Sequence, residues 1–252
     1  MTAPAAAAIS LDGVSKVFGH ATSALPALDR VSIDVAAGEF LCVLGASGCG
    51  KSTLLNLIAG LDAPTAGRIG LEGRAGLMFQ EAALFPWLTV AGNIELALRL
   101  RGVARPERRA RALELLSLVH LDGFADKRPH QLSGGMRQRV ALARALAQDA
   151  DVLLMDEPFG ALDAMTRDLL HTELERLWQD RRFTVVFVTH NVREAARLAD
   201  RIVLLSSRPG RVAGEFPVAI DRPRRIESPE VSSLAVEVTD RLKAEVRRHA
   251  AH

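Results

Sequence analysis

The sequence predicts an α/β fold with a mostly parallel β-sheet. Short, β-branched-rich apolar runs at residues 40–44, 152–155, 185–188 and 202–205 have the length and composition of buried strands. Segments with helical character, residues 52–59, 168–179 and 192–198, follow the first three of these runs. A glycine-rich loop joins the first run to its helix. Such alternation of strand and helix is typical of parallel α/β domains.

Length and composition limit the number of domains, the kinds of partner and the cellular compartment that we expect. With 252 residues and 48% hydrophobic content, the chain can bury the core of one domain, or of a domain with a subdomain. Lys and Arg total 32 against 30 Asp and Glu, a formal net charge of +2, so no large basic excess suggests a nucleic-acid partner. No apolar run approaches the roughly 20 residues of a membrane span, and residues 1–8 lack the features of a signal peptide. We therefore expect a cytoplasmic chain whose two cysteines, Cys42 and Cys49, are reduced thiols.

The loop after the first strand, GASGCGKST at residues 45–53, fits the pattern G-x-x-x-x-G-K-[ST] completely. Its glycines let successive backbone N–H groups curl around phosphates, and the following helix adds its positive N-terminal end. Lys51 is placed to reach the β- and γ-phosphates, and the Ser52 hydroxyl to coordinate Mg²⁺. A plain glycine-rich turn would require neither Lys-Ser behind it nor a strand ahead. Cys49 occupies a variable position, which favours a space-filling role over a redox switch.

The second buried strand ends in a pair of carboxylates, Asp156 and Glu157. Two adjacent acids allow a division of labour in phosphoryl transfer. Asp156 can hold Mg²⁺ directly or through water, while Glu157 can accept a proton from the water that attacks the γ-phosphate. The alternative is a pair of surface acids at a strand end.

A helix-rich insertion separates these two sites. Residues 106–118 and 135–147 have helical character, and no convincing strand lies between residues 84 and 150. The segment LSGGMRQ, residues 132–138, stands at the front of the last helix, where Ser133 can act as N-cap.

In the C-terminal tail, residues 222–225 are interpreted as a connector, and apolar residues recur at helical spacing at Val231, Leu234, Val238, Leu242 and Val246. That stripe is more typical of packing than of function.

An LSGG segment between a phosphate loop and an acidic pair resembles the ATPase subunits of ABC transporters, over residues 9–212. The resemblance implies a P-loop NTPase core with a mostly parallel sheet, an antiparallel β region and an inserted helical subdomain. The nucleotide-binding core would be residues 1–83 and 151–218, the helical subdomain 84–150, and a C-terminal helical tail 219–252. It also implies ATP hydrolysis with Mg²⁺, and argues against another P-loop class such as a nucleotide kinase.

The same resemblance assigns roles to single residues. Glu157 would be the general base, and His190 would contact the γ-phosphate and hold the catalytic water, although a lone histidine is more often structural. Gln80 would touch Mg²⁺ or the attacking water, and Phe18 would stack on adenine unless it is a core phenylalanine. The implied catalytic residues are thus Glu157, His190 and Lys51, and the metal ligands Ser52, Gln80 and Asp156. The implied ATP contacts are Phe18, Gly45, Ala46, Ser47, Gly48, Cys49, Gly50, Lys51, Ser52, Thr53, Gln80, Ser133, Gly134, Gly135 and Asp163.

In the resembled family, LSGG closes on the ATP of a second subunit, so we expect a two-fold homodimer with two ATP molecules between the copies. Ser133 and the Gly134–Gly135 backbone would reach across, with Asp163 at the same interface.

Residues 81–90 contain several large apolar side chains within a short proline-containing span. In the family this region docks the membrane subunit; a buried subdomain core is the alternative. The segments FPWLT, DEPFG and residues 205–211 resemble importers of nitrate, sulfonate and taurine. We therefore expect integral membrane permease subunits and a periplasmic or lipid-anchored solute-binding protein as partners, at the cytoplasmic face of a bacterial inner membrane. A soluble ABC ATPase acting on nucleic acid or the ribosome is disfavoured, because no second cassette, long coiled-coil insert or basic arm is present.

Overall fold

The computed structural model describes residues 7–19 and 24–250. Its strands are β1 (Ala7–Phe18), β2 (Leu25–Ala36), β3 (Phe40–Leu44), β4 (Ala66–Leu71), β5 (Ala75–Met78), β6 (Val152–Asp156), β7 (Thr184–Val188), β8 (Arg201–Leu205) and β9 (Val212–Pro217). Its helices are α1 (Lys51–Ile58), α2 (Val90–Leu100), α3 (Arg105–Leu118), α4 (Gly134–Leu146), α5 (Ala164–Arg181), α6 (Val192–Leu198) and α7 (Pro229–Ala250), with a short 3₁₀ turn at Pro129–Gln131.

The main sheet has six strands in the order β5-β6-β7-β3-β8-β9, and only β9 pairs antiparallel. Strands β3, β6 and β7 are buried along their whole length, so both faces of the sheet are covered. Alternate side chains of β3 enter different cores, Phe40 and Cys42 on one face, Leu41 and Val43 on the other. This layering is why the strand runs read as continuously apolar rather than alternating.

One face of the main sheet packs against α1 and a separate antiparallel sheet of order β2-β1-β4. Their shared core includes Ile9 and Val31 from the small sheet, Leu54 from α1, and Val186 from the main sheet. The predicted α/β class is confirmed, and this small sheet is the antiparallel region that the resemblance implied.

Helices cover the other face. Residues 84–150, all described, contain α2, α3, the 3₁₀ turn and α4, and no strand. Helix α5 begins at Ala164, four residues before the predicted start, because Asp163 caps it by accepting a hydrogen bond from the Thr166 N–H.

The tail is anchored to this helical face. Val231 and Val238 of α7 are fully buried, whereas Val246 near the end of the stripe is 44% exposed. The predicted connector ahead of α7 is also buried in part. Arg222 stacks over Trp178 with 4.6 Å between its guanidinium and the ring centroid. Arg224 donates hydrogen bonds to the Ala199 carbonyl, just after α6, and to the Val218 carbonyl, just after β9. Burial lowers its pKa to about 10.

Candidate nucleotide site

The sheet topology brings four sequence motifs to one edge. Strands β5, β6, β7 and β3 are adjacent and parallel, so their carboxyl ends lie side by side. Gln80 follows β5, Asp156 ends β6 and precedes Glu157, His190 follows β7, and the phosphate loop follows β3. Residues more than a hundred positions apart in the chain therefore line a single site.

The phosphate loop is held in shape by close contacts at its glycines. Gly50, the N-cap of α1, has φ 103°, and a Cβ there would lie 2.8 Å from the Ala27 carbonyl oxygen. A Cβ at Gly45 would lie 2.6 Å from Cys49 Sγ, which shows Cys49 filling the inside of the loop. Burial raises the pKa of the Cys49 thiol, as expected for a space-filling residue rather than a reactive one.

Lys51 is the cation of this loop. Its side chain is buried, and Nζ donates hydrogen bonds to the Gly45 carbonyl at 2.9 Å and the Ala46 carbonyl at 3.1 Å. The neighbouring Ser47, Gly48 and Ser52 are exposed. The ammonium group is thus fixed beside accessible loop residues, where it can meet an anionic phosphate chain.

Asp156 and Ser52 form an oxygen pair suited to a hard cation. The Asp156 carboxylate is buried, and burial raises its pKa, while a hydrogen bond from the Ser52 hydroxyl works in the opposite direction. Within the described residues no group of three or more His, Cys, Asp or Glu could hold a metal by itself. Mg²⁺ commonly takes one or two carboxylates plus phosphate oxygens and water, so these two residues fit Mg²⁺ held jointly with a nucleotide.

Glu157 and His190 lie across from each other on neighbouring strand ends. His190 Nδ1 is 3.1 Å from Glu157 Oε2; the histidine is exposed and the glutamate half-buried. The Glu157 N–H donates to the Val188 carbonyl at 2.9 Å, and its backbone is left-handed with φ 46°. A non-glycine residue in that region costs free energy, on the order of 1–3 kcal/mol, and persists where its surroundings enforce it. The fold therefore fixes this carboxylate beside an imidazole.

The LSGG segment forms the start of α4. Ser133 caps the helix by accepting from the Met136 N–H at 3.2 Å, and both Ser133 and Gly134 are exposed. Gly135 packs against the loop before α5, since a Cβ on it would lie 3.2 Å from Leu162 Cδ2. Asp163 follows that loop, and hydrogen bonds from Thr166 hold the pKa of its carboxyl below the usual value. Among described residues, no hydrogen bond joins 133–135 to the phosphate loop of the same chain.

The loop after β5 connects the sheet edge to α4. Gln80 is exposed, and its carbonyl accepts from Gln138 Nε2 at 3.2 Å. Arg144 donates to the Ala82 and Ala83 carbonyls at 2.9 and 2.7 Å. The sequence did not predict that Gln138 and Arg144 hold this loop, although Gln138 lies within the LSGGMRQ segment that carries the family resemblance.

Phe18 ends β1 and is 40% exposed, so it is not a core phenylalanine. The Lys16 ammonium lies 5.1 Å from its ring centroid. Its ring thus presents an accessible aromatic surface, as adenine stacking requires.

Residues 85–88 form a surface feature beside a groove. Trp87 is 67% exposed and lies 5.5 Å from the half-buried Phe85 ring, between centroids. Asn93, which sequence reasoning also missed, accepts from the Phe85 N–H at 2.8 Å and donates to the Thr89 carbonyl at 2.9 Å. Next to them a groove of about 690 Å³ runs between the sheet and α2, and its mainly apolar lining includes Leu61, Leu77, Phe79, Leu96 and Leu100.

Comparison with known proteins agrees with this geometry. The family model described as ABC transporter matches residues 28–160. This chain belongs to the ABC transporter family. It is an ATP-binding cassette ATPase with the P-loop core that its motifs predicted.

Two relatives with named functions are import ATP-binding proteins. The taurine import ATP-binding protein TauB of Rhizobium johnstonii is 52% identical over 198 residues, covering 75% of this chain and 76% of that protein. The aliphatic sulfonates import ATP-binding protein SsuB 1 of Mesorhizobium japonicum is 48% identical over 242 residues, covering 93% and 88%. An uncharacterized ABC transporter ATP-binding protein of Methanocaldococcus jannaschii is 44% identical over 246 residues, covering 94% and 92%.

A solved structure also resembles the chain. A dimeric ATP-binding cassette in a post-hydrolysis state, bound to ADP and Pi, superposes with a TM-score of 0.78 at 36% identity, covering 84% of this chain and all of that one. In the part of the chain that the structure describes, no helix is both long and apolar enough to cross a membrane.

Proposed function

We propose that this chain is the ATP-hydrolysing subunit of a bacterial importer, working as a pair of copies that drive uptake of a small solute through partner membrane subunits. The observation that carries the assignment to a complex with a membrane partner is the exposed Trp87 beside the apolar groove, on the loop that leads directly from Gln80. Such a patch on a soluble surface suits a protein partner. The taurine and sulfonate import relatives support the same function.

In the proposed chemistry, the loop residues 45–53 bind the phosphates, with Lys51 neutralising charge. Ser52, Asp156 and Gln80 would hold Mg²⁺, which supplies further charge neutralisation when bound. Glu157 orients the attacking water and accepts its proton, and His190, 3.1 Å from Glu157, holds the same water and contacts the γ-phosphate. Phe18 stacks on the adenine.

The composite site needs two copies. Ser133, Gly134 and Gly135 of one copy would close on ATP bound to the phosphate loop of the other, with Asp163 at the same interface. The exposure of Ser133 and Gly134, without hydrogen bonds to their own chain's described phosphate loop, supports this arrangement. Because ATP would bind the closed pair better than the open one, its binding supplies the motion and hydrolysis resets it.

The membrane partner would sit in the groove beside Trp87. We propose integral permease subunits there, with a periplasmic or lipid-anchored solute-binding protein completing the complex. The chain would lie peripherally at the cytoplasmic face of the inner membrane. In this assignment residues 1–83 and 151–218 form the nucleotide-binding core, 84–150 the helical subdomain and 219–252 the tail. The solute would be taurine, an aliphatic sulfonate or nitrate.

The experiment uses Trp87→Ala in the complex assembled with the proposed membrane permease subunits and solute-binding protein. We expect uptake of taurine, alkanesulfonate or nitrate into proteoliposomes to fall at least tenfold, since aromatic anchors of this kind can contribute about 2 kcal/mol or more. Basal ATPase of the isolated subunit should be unchanged. The melting temperature should change little, because Trp87 is 67% exposed.

Val236→Ala is the matched control, because Val236 is 61% exposed but lies on α7, away from the groove. Uptake that survives Trp87→Ala at the wild-type rate would contradict the docking assignment. Loss of uptake with both variants would point to a non-specific effect of removing surface apolar area.

A further inference from the structure

A buried histidine that the proposed chemistry does not use lies behind the Glu157–His190 pair. His171 of α5 is fully buried, and its Nε2 is 2.7 Å from Glu194 Oε1 on α6. The other oxygen of Glu194 accepts a hydrogen bond from the Thr189 hydroxyl. Helix α5 is therefore joined to the segment from Thr189 to α6 through one buried carboxylate. A buried polar network of this kind fixes geometry when it is satisfied.

Thr189 comes immediately before His190. Its hydroxyl also accepts from the Asn191 N–H at 3.0 Å, and the Asn191 side chain accepts from the Glu194 N–H at 3.3 Å while capping α6. The residues on both sides of His190 are thus tied to Glu194. The backbone that carries the His190 imidazole has little freedom to rotate while these bonds hold.

His171 also contacts the strand end on the Glu157 side. Its ring meets Phe159 edge-on, with 4.9 Å between centroids, and Phe159 is buried two residues after Glu157. A cavity of about 40 Å³ is lined by Glu157, Phe159, His190 and Glu194, among others. Glu194, which His171 contacts, therefore borders the same small space as Glu157 and His190.

Helix α5 links His171 to the predicted subunit interface. Asp163 caps the helix, and His171 lies eight residues further on, about 12 Å along the axis at 1.5 Å per residue. A shift of Asp163 when two copies meet would move His171 with the helix.

We propose that His171, through Glu194 and Thr189, is a positioning residue that sets the distance between His190 and Glu157. This proposal rests on the catalytic roles proposed for that pair. The alternative is that His171 and Glu194 form a buried polar pair that only stabilises the packing of α5 on α6.

The test separates the hydrogen bond from the ring contact. His171 Nδ1 has no hydrogen-bond partner among the described residues, so Nε2 makes the ring's polar contact. His171→Gln keeps a donor near the Nε2 position and loses the ring, whereas His171→Phe keeps a ring against Phe159 and loses the donor. Thr189→Ser and Thr189→Val make the same comparison at the other end of Glu194, where serine keeps the hydroxyl. Leu174→Ala, in the buried face of the same helix, is the control for lost stability alone.

For each variant, kcat and KM for ATP are measured with the melting temperature, at a temperature where all variants are folded. We expect His171→Phe and Thr189→Val to lower kcat about tenfold to a hundredfold with KM nearly unchanged, because a misplacement of about 1 Å can cost about a hundredfold. His171→Gln and Thr189→Ser should keep kcat within about threefold of wild type. Leu174→Ala should lower the melting temperature without lowering kcat.

Equal kcat values for His171→Phe, Thr189→Val and wild type would overturn the proposal, as would a kcat loss shared equally by Leu174→Ala. Glu157→Gln and His190→Ala are measured alongside. If these two variants retain activity, the catalytic assignment fails; if they are inactive and the His171 and Thr189 variants are not, only the positioning role fails. If His171→Phe does not fold, the Thr189 pair decides the outcome.

Discussion

Asp156 and Glu157 are neighbours in sequence with different surroundings in the structure. Asp156 is buried at the end of β6, where burial raises its pKa and the nearby Ser52 hydroxyl works against that rise. Glu157 is half-buried and lies 3.1 Å from His190. These environments favour a metal ligand at Asp156 and a proton acceptor at Glu157.

Exchanging each acid for its amide should separate the two roles. We expect Glu157→Gln to preserve Mg²⁺-ATP binding and to cut turnover about a hundredfold or more, because the base is removed and the binding oxygens are kept. Asp156→Asn should instead weaken Mg²⁺-dependent nucleotide binding. Fluorescent-ATP titration with and without Mg²⁺, and steady-state phosphate release, measure the two effects. A Glu157→Gln protein that hydrolyses ATP near the wild-type rate would contradict the assignment of Glu157 as the general base.

Among the structural elements, the turn between β8 and β9 supports the phosphate loop from behind. Gly210 donates from its N–H to the Ala27 carbonyl at 2.9 Å and accepts from the Asp29 N–H at 3.0 Å. A Cβ on Gly210 would lie 2.2 Å from the Cys49 carbonyl oxygen, inside the contact distance of the two backbones. The turn that resembled importer sequences therefore has a structural role next to the nucleotide site.

Gly210→Ala should displace the phosphate loop. Overpacking of this kind typically costs about 1–3 kcal/mol, so we expect the melting temperature to fall by several degrees and ATP affinity to fall with it. Gly214→Ala in the following strand is the matched control, since a Cβ there would make only ordinary contact, 3.4 Å, with the Phe216 ring. Calorimetric unfolding and ATP titration of both variants provide the measurement, and equal behaviour of the two would refute the close-contact argument.

At the scale of the whole molecule, the parts proposed to contact ATP divide into two surfaces. The sheet edge carries the phosphate loop, Asp156, Glu157 and His190, whereas Ser133 and Gly134 are exposed at the start of α4. A head-to-tail pair of copies would bring the second surface of one chain over the first surface of the other.

Ser133→Arg should therefore prevent ATP-driven pairing while leaving ATP binding to the single chain nearly intact, because Lys51 and its loop are untouched. In the Glu157→Gln background, sedimentation velocity with ATP should show dimers, and adding Ser133→Arg should return the protein to monomers. Ser117→Arg, at an exposed position on α3, controls for the added charge and bulk. Persistence of the ATP-dependent dimer with Ser133→Arg would contradict a site shared between two chains.

The sequence alone was sufficient for features that neighbouring residues determine. The phosphate loop, the buried strands and the helix that Ser133 caps depend on local composition and spacing, and the structure has each of them within a few residues of the predicted bounds. The α/β class and the family followed from the order of these motifs. The roles assigned to single site residues stay predictions.

Tertiary structure decided which distant residues meet. His190 reaches Glu157 because β6 and β7 are adjacent in the sheet, and His171 reaches Thr189 only through Glu194 on another helix. Asn93 had no local pattern to mark it, because its partners are backbone groups of a loop whose course depends on packing. Spacing along the chain encodes local backbone conformation, whereas contacts between elements depend on how apolar faces pack, and only the folded chain fixes that packing.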